Sequence, residues 1–424
     1  MIKPASKKEM VSVHQAVEEV LGRSRRLGTE QISIHAALGR VLAEDLIAVT
    51  DLPPWDNSAM DGYAVRYEDL QGASRANPSV LRIVDVQPAG RISRKRVETG
   101  TAIKIMTGAV LPMGADSVVK VEDTLSADDQ VKVFRSINRM ENVRPRGEEL
   151  KQGERVLSDG TPLGPAELGM VAASGQSVIR VYRQPTVAIL ASGSELIEPG
   201  TEPVIEPGLR PSQGQIFNSN SYSLAAQVIE AGAMPRLLGI AGDTKADLLH
   251  KLKQGLKEDI LLVSGGVSVG DRDLAKQAFE EIGVQRVFWK VAMKPGHPLF
   301  FGVLGEKLIF GLPGNPVSTM VTFEEFVRPA LLKMMGYRII HRPVVQACLE
   351  VGIVKPLGKM AFFRAVVQGR EGRLFVRPTE EQGSGMLMSL VKANGLLMIE
   401  EDQEKVLAGT TVAVQLLGKP LVSG

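Results

Sequence analysis

The sequence has almost no cysteine: Cys348 stands alone among 424 residues, which excludes an intramolecular disulfide and fits a reducing, cytoplasmic setting. It lies in the alternating segment 344-VVQACLEV-351, where a small buried hydrophobe is expected rather than a nucleophile. Charge of one sign is lacking too. Fifty Lys and Arg against 48 Asp and Glu leave a formal +2, too weak a field to argue for nucleic acid, so any polyanion site must be local. No apolar run approaches the roughly 18 residues needed to cross a bilayer, and the first residues lack the apolar core of a signal peptide, so no membrane association is expected. The five histidines and the single cysteine show no zinc-ligand spacing, and none of the histidines is tied by a recognisable motif to a serine elbow.

At roughly 150 residues per domain, the length suggests about three domains. From Ser12, placed as a helix cap, to about Leu46 the pattern is helical, with a second helix predicted in 33-SIHAALGRVLAEDL-46. Helical signals return at 164-GPAELGMVAASG-175, so 1–50 and 141–183 are assigned to a helical linking domain. Between them, 51–140 reads as a β-rich insertion of short strands separated by Gly, Pro and Asp. From 184 to 338 apolar strands alternate with helices, the rhythm of a doubly wound α/β domain whose ligands bind at the carboxyl ends of its strands. Beyond Pro343 short strands return, with a hairpin turn at 369-GREGR-373, and 339–424 is expected to form a small C-terminal β-barrel. The fold class is therefore multidomain, α/β plus β.

The strand ends carry the chemistry. In 261-LLVSGGVSVGDRD-273 a buried strand runs into Gly265 and Gly266, as at phosphate sites, yet finishes in Asp271 and Asp273. Carboxylates repel phosphate, so either this is no phosphate site or a cation stands between the two. The GGxxxG spacing also departs from the GxGxxG of dinucleotide folds. In 190-LASGSEL-196, Ser192 and its neighbours offer hydroxyls and N–H groups to an anion, and Glu195 suits a cation or an amide edge; an ordinary turn with a solvated glutamate fits the same letters. Asp243 ends another strand, by itself a weak signal. In 289-WKVAMKPGHP-298, Lys290, Lys294 and His297 suit an oxyanion, with surface lysines as the plainer reading. The turn 311-GLPGNP-316, bracketed by Pro313 and Pro316, opens a helix whose N–H groups and Ser318 and Thr319 hydroxyls face an anion, or it is merely a tight turn. Asp61 and Thr107 fall in 58-SAMDGYAV-65 and 105-IMTGAVLPMGAD-116, two loops by composition.

Together, in their order along the chain and over essentially its whole length, these motifs and the late 384-SGMLMSLVKANG-395 closely resemble the MoeA family of molybdopterin molybdenumtransferases, related to the gephyrin E domain. The resemblance implies insertion of molybdate into adenylylated molybdopterin with release of AMP. It also implies Mg²⁺ as the cation, an elongated homodimer with sites shared between subunits, and a molybdopterin adenylyltransferase as a candidate further partner. It assigns catalytic positions to Asp61, Thr107, Glu195, Asp243 and Asp273. Asp243 and Asp273 would serve metal or substrate, and Lys290 and Lys294 phosphate or molybdate. The alternatives are the adenylyltransferase itself, against which the insertion and barrel argue, and a non-catalytic gephyrin-like scaffold. Two departures stand out: 192-SGSEL-196 replaces the family's TGDEL, and 294-KPGHP-298 its KPGKP.

Overall fold

The computed structural model describes residues 10–200, 211–242, 244–266 and 274–422. The chain divides into two compact units: 31–38 with 44–180, and the remainder.

In the larger unit, six strands form a sheet in the order Met234–Ala241, Thr186–Ser192, Ile260–Ser264, Lys307–Leu312, Phe300–Leu304 and Gln285–Phe288. The first four run parallel, and the last two join antiparallel. Because strand side chains alternate, Val187, Ile189, Ile260, Leu262, Leu308 and Phe310 enter one apolar cluster, while Ala188, Leu190, Leu261, Val263 and Ile309 enter another. Helices cover both faces. Leu224 and Val228 of Ser219–Glu230 pack on the first, and Leu248 and Leu252 of Lys245–Gly255 on the second.

The helix Val13–Arg23 begins at Ser12 in a capping box with Gln15. Its Ala16 and Val20 belong to the first cluster of the α/β domain, so this helix packs there. The second helix predicted in 33–46 does not form. Only the single turn Ile34–Ala36 is helical; Gly39 is left-handed at φ 74°, Leu42 bridges Val181, and Leu38 is exposed. Pairing with a distant strand there overrides local periodicity.

The C-terminal strands close into a five-stranded barrel. Met360–Arg370 pairs with both Arg373–Pro378 and Gly395–Ile399, and Val344–Leu349 and Thr411–Leu416 complete the ring. The predicted hairpin turn carries Glu371 and Gly372 at φ 49° and 74°, as a tight turn of this hand requires. Cys348 is a half-buried free thiol. Met293 and Lys294 pair with Met360 and Ala361, so the lysine-rich segment joins the barrel.

The smaller unit holds a six-stranded sheet ordered Ser117–Lys120, Gly62–Val65, Thr101–Ile105, Ser79–Gln87, Gln130–Val133 and Thr124–Ala127, with Tyr63, Leu81, Val119 and Val131 in its core. Its helix Pro165–Ala173 starts with proline in the first turn, as predicted.

At the entry to the α/β domain, Arg183 donates two hydrogen bonds to Asp259, at 2.8 and 2.9 Å, and Thr186 N donates a third at 2.8 Å. Burial raises the Asp259 carboxyl, but Arg183 and Thr186 outweigh it and hold the pKa below the ordinary carboxylate value. A depressed carboxylate contributes stability above its unfolded pKa and loses it as pH falls through the folded one. Asp259→Asn is thus expected to lower the melting temperature by a few degrees at pH 7, and the gap should narrow steadily below about pH 4. Melting curves between pH 3 and 7 check this; a gap constant over that range would refute it.

Candidate functional site

The carboxyl ends of the central strands open into a cleft of about 1210 Å³. Its walls are the turn after Ser192, the turn Ser264–Gly266, the Pro313–Pro316 turn, the Lys294–Pro298 segment, and barrel residues that include Lys355, Lys359 and Arg364. Close backbone approach dictates the sequence here. A Cβ on Gly265, which sits at φ 83°, would stand 2.3 Å from the Ser192 carbonyl oxygen, so only glycine fits.

Ser192, Glu195, Gly265, Gly266, Lys294, His297, Pro313, Pro316 and Ser318 all line the cleft. Lys290 is half-buried, pairs along the backbone with Met10, and is not among the lining residues. Asp243 and Asp273 lie outside the described residues. His297 shares a 2.8 Å hydrogen bond between Nδ1 and the Val291 carbonyl, which assigns the ring proton to Nδ1 and leaves Nε2 for a ligand. Thr319, offered above as an anion donor, is fully buried, and its hydroxyl donates to the carbonyls of Pro313 and Asn315. It braces the turn instead.

Asp61 and Thr107 are in the smaller unit, and the structure brings them together. Asp61 Oδ1 accepts from Thr107 N at 2.7 Å and from Thr107 Oγ1 at 2.9 Å. The backbone N–H first, and the hydroxyl second, hold this exposed carboxyl below its usual pKa, so it is ionised at neutral pH.

The electrostatics of the cleft are one-sided. Among the described lining residues Glu195 is the single carboxylate, against Lys294, Lys355, Lys359 and Arg364. Arg364 is 2% exposed and has no carboxylate partner among the described residues; Nε donates to Ser389 Oγ at 3.1 Å and Nη2 to the Gly383 carbonyl at 3.2 Å. Burial pulls its pKa down to about 10, so it stays protonated at neutral pH. Lys355, 5% exposed, likewise donates to backbone carbonyls, those of Lys359 at 3.0 Å and Pro356 at 3.3 Å. Buried cations without counterions are costly unless an anion arrives. Sequence reasoning missed both; the signal for Arg364 was an arginine inside the apolar strand 361-AFFRAVVQ-368.

No group of three or more His, Cys, Asp or Glu gathers among the described residues. Asp243 and Asp273, the expected metal ligands, lie outside the described residues; Glu195 is the described lining carboxylate that could face a divalent cation.

Fold and cleft together define an α/β protein with a strand-end site for a large, multiply charged anion, walled on one side by a β-barrel. Comparison with known proteins makes this specific. Residues 11–175 match the MoeA N-terminal region (domain I and II), 188–333 a probable molybdopterin binding domain, and 346–417 the MoeA C-terminal region (domain IV). A Mycobacterium tuberculosis protein named molybdopterin molybdenumtransferase 2 is 39% identical over 412 residues, 95% of this chain and 98% of that protein. A Bacillus subtilis molybdopterin molybdenumtransferase is 35% identical over 416 residues, 97% of this chain and 95% of that one. The crystal structure of a molybdopterin biosynthesis MoeA protein from Pyrococcus horikoshii superposes with TM-score 0.80 at 33% identity, covering 96% of this chain and 100% of that one. The chain belongs to the MoeA family. Among its described residues, no helix is long and apolar enough to cross a membrane.

If Arg364 is there for an anion, Arg364→Gln should leave the melting temperature unchanged or higher, because a buried unpaired charge is removed. Affinity for molybdate, read by calorimetry, should fall tenfold or more. A fall in melting temperature with intact affinity would make Arg364 a structural residue.

Proposed function

We propose that this chain inserts molybdenum from molybdate into adenylylated molybdopterin and releases AMP, a step of molybdenum cofactor biosynthesis. The observation that carries the reading is the cleft, with four cationic side chains and one carboxylate among its described lining, in a chain whose relatives of nearly full length are molybdopterin molybdenumtransferases. Its volume of about 1210 Å³ exceeds the roughly 300–1,000 Å³ of ordinary small-molecule pockets and suits a pterin joined to a nucleotide. The family matches on either side of the α/β domain, 11–175 and 346–417, favour this reading over an adenylyltransferase.

In this reading Lys294 and Arg364 hold oxyanion groups, and the backbone at Gly265 and Gly266 lets phosphate approach without a side chain in the way. Glu195 offers its carboxylate to a divalent cation or to an N–H edge of the pterin. Mg²⁺, when bound, offsets the negative charge that builds on the phosphate as the bond to the adenylyl group breaks. Asp61 is exposed, ionised and oriented by Thr107, the state expected of a carboxylate that meets a ligand or cation from outside its own unit. We assign this pair to the site of a partner subunit in a two-fold homodimer, which makes the contribution reciprocal. A molybdopterin adenylyltransferase is the class of enzyme that must supply the substrate.

Incubation with adenylylated molybdopterin, Mg²⁺ and molybdate should release AMP and yield a molybdenum-loaded product; absence of turnover would favour a scaffold. Lys294→Gln, at an exposed strand end, should raise the molybdate requirement several-fold with little change in melting temperature. Equal loss of stability and activity would mark it as structural. For the shared site, Asp61→Ala and Glu195→Ala homodimers should each be inactive, whereas mixed dimers should regain about half of wild-type activity, since one of two sites is intact. Verified mixed dimers as inactive as their parents would exclude a site shared between subunits.

A further inference from the structure

Two of the turns that line the cleft are tied together by one side chain. Asn220, in the first turn of the helix Ser219–Glu230, donates from Nδ2 to Ser264 Oγ at 2.8 Å and to the Gly314 carbonyl at 2.7 Å. A carbonyl only accepts, so the contact with Gly314 fixes which end of the amide faces the turns. Its other end is buried, and Oδ1 has no hydrogen-bond partner among the described residues. Leaving an acceptor buried and unpaired is unfavourable, so the amide is oriented at its own expense in favour of the two turns. Capping does not explain it. Asn218 caps this helix, accepting from Ser221 N at 3.2 Å.

Among the described residues the two turns lie in ordinary contact. A Cβ on Gly314 would stand 3.7 Å from Gly265 Cα, and Gly265 already abuts the Ser192 carbonyl. Besides the Asn220 clasp, Gly265 N donates to the Leu312 carbonyl at a longer 3.2 Å. Ser264 and Leu312 are paired in the sheet; past the end of that ladder, among the described residues, the Asn220 amide joins the two turns.

We infer that Asn220 is a positioning residue: by fixing the gap between the Ser264–Gly266 and Pro313–Asn315 turns, it sets the cleft's affinity for the phosphate-bearing part of its substrate. The inference rests on the reading of the cleft given above. It predicts that the substrate is bound less well, rather than converted more slowly, when the clasp is cut.

The test uses the full-length protein with Asn220→Ala and Asn220→Asp. Wild-type AMP release is measured first; if there is none, the proposed reaction fails, while the clasp is still judged by binding of adenylylated molybdopterin without molybdate and by backbone hydrogen exchange. Both variants should bind adenylylated molybdopterin tenfold or more weakly. In turnover, KM should rise by a similar factor with kcat within about threefold and the melting temperature within about 4 °C. Exchange should quicken at residues 264–266 and 313–315 and stay unchanged in the strand 186–192. Wild-type affinity in both variants would overturn the inference. So would exchange that quickens everywhere together with a large drop in melting temperature, which marks a general structural role. A defect confined to Asn220→Asp would overturn it as well, because it would trace the effect to charge repulsion of the anion rather than to the lost clasp.

Discussion

A parallel sheet covered on both faces can meet a ligand only at its strand ends, and this structure is organised by that constraint. Alternate residues of the strands 186–192, 260–264 and 307–312 commit to two separate apolar clusters, which confines polar residues to the strand ends, at Thr186, Ser192, Ser264 and Lys307. What remains is the turn after each strand. Those turns converge closely enough that glycine at 265 is required by the Ser192 carbonyl. Thr319 and Asn220 then take up backbone carbonyls that tight turns leave unpaired. The substrate-facing surface is therefore mostly backbone and hydroxyl, a surface to which the barrel adds charge.

That charge is local. Over the whole chain the formal balance is +2, yet among the described residues of the cleft four cations face one carboxylate. Two of those cations, Lys355 and Arg364, are buried, and among the described residues their hydrogen bonds go to neutral groups. Such placement gains little for the fold and much for an arriving anion, because the low-dielectric surroundings that penalise the free cation strengthen its attraction to phosphate or molybdate. The α/β domain thus supplies shape and N–H groups, and the barrel supplies the buried positive charge.

Much of this is legible in the letters. The alternation of apolar runs and helices from 184 to 338 reads as α/β because burial on both faces demands near-continuous apolar strands, and the turn residues at 369–373 read as a hairpin because few residues tolerate positive φ. The helix at Ser12 follows from its cap. The failures have physical causes. In 33–46 a helical spacing of Ala37, Val41 and Leu42 coincides with burial, but the backbone is pinned by a bridge to Val181 that local pattern does not encode. Arg364 was missed because sequence shows an arginine in a strand and not which way it faces. Asp61 and Thr107 are separated by 46 positions, and only the fold shows that one hydrogen-bonds the other.

In the proposed function, strand-end turns and barrel hold one substrate together. Hydrogen exchange of the wild-type protein with and without adenylylated molybdopterin measures this directly. The account predicts slowed exchange at 192–196, 264–266 and 311–318 of the α/β domain and, with the same dependence on ligand concentration, at 360–364 and 382–384 of the barrel. Protection confined to the α/β turns, with the barrel segments unchanged at saturation, would contradict it.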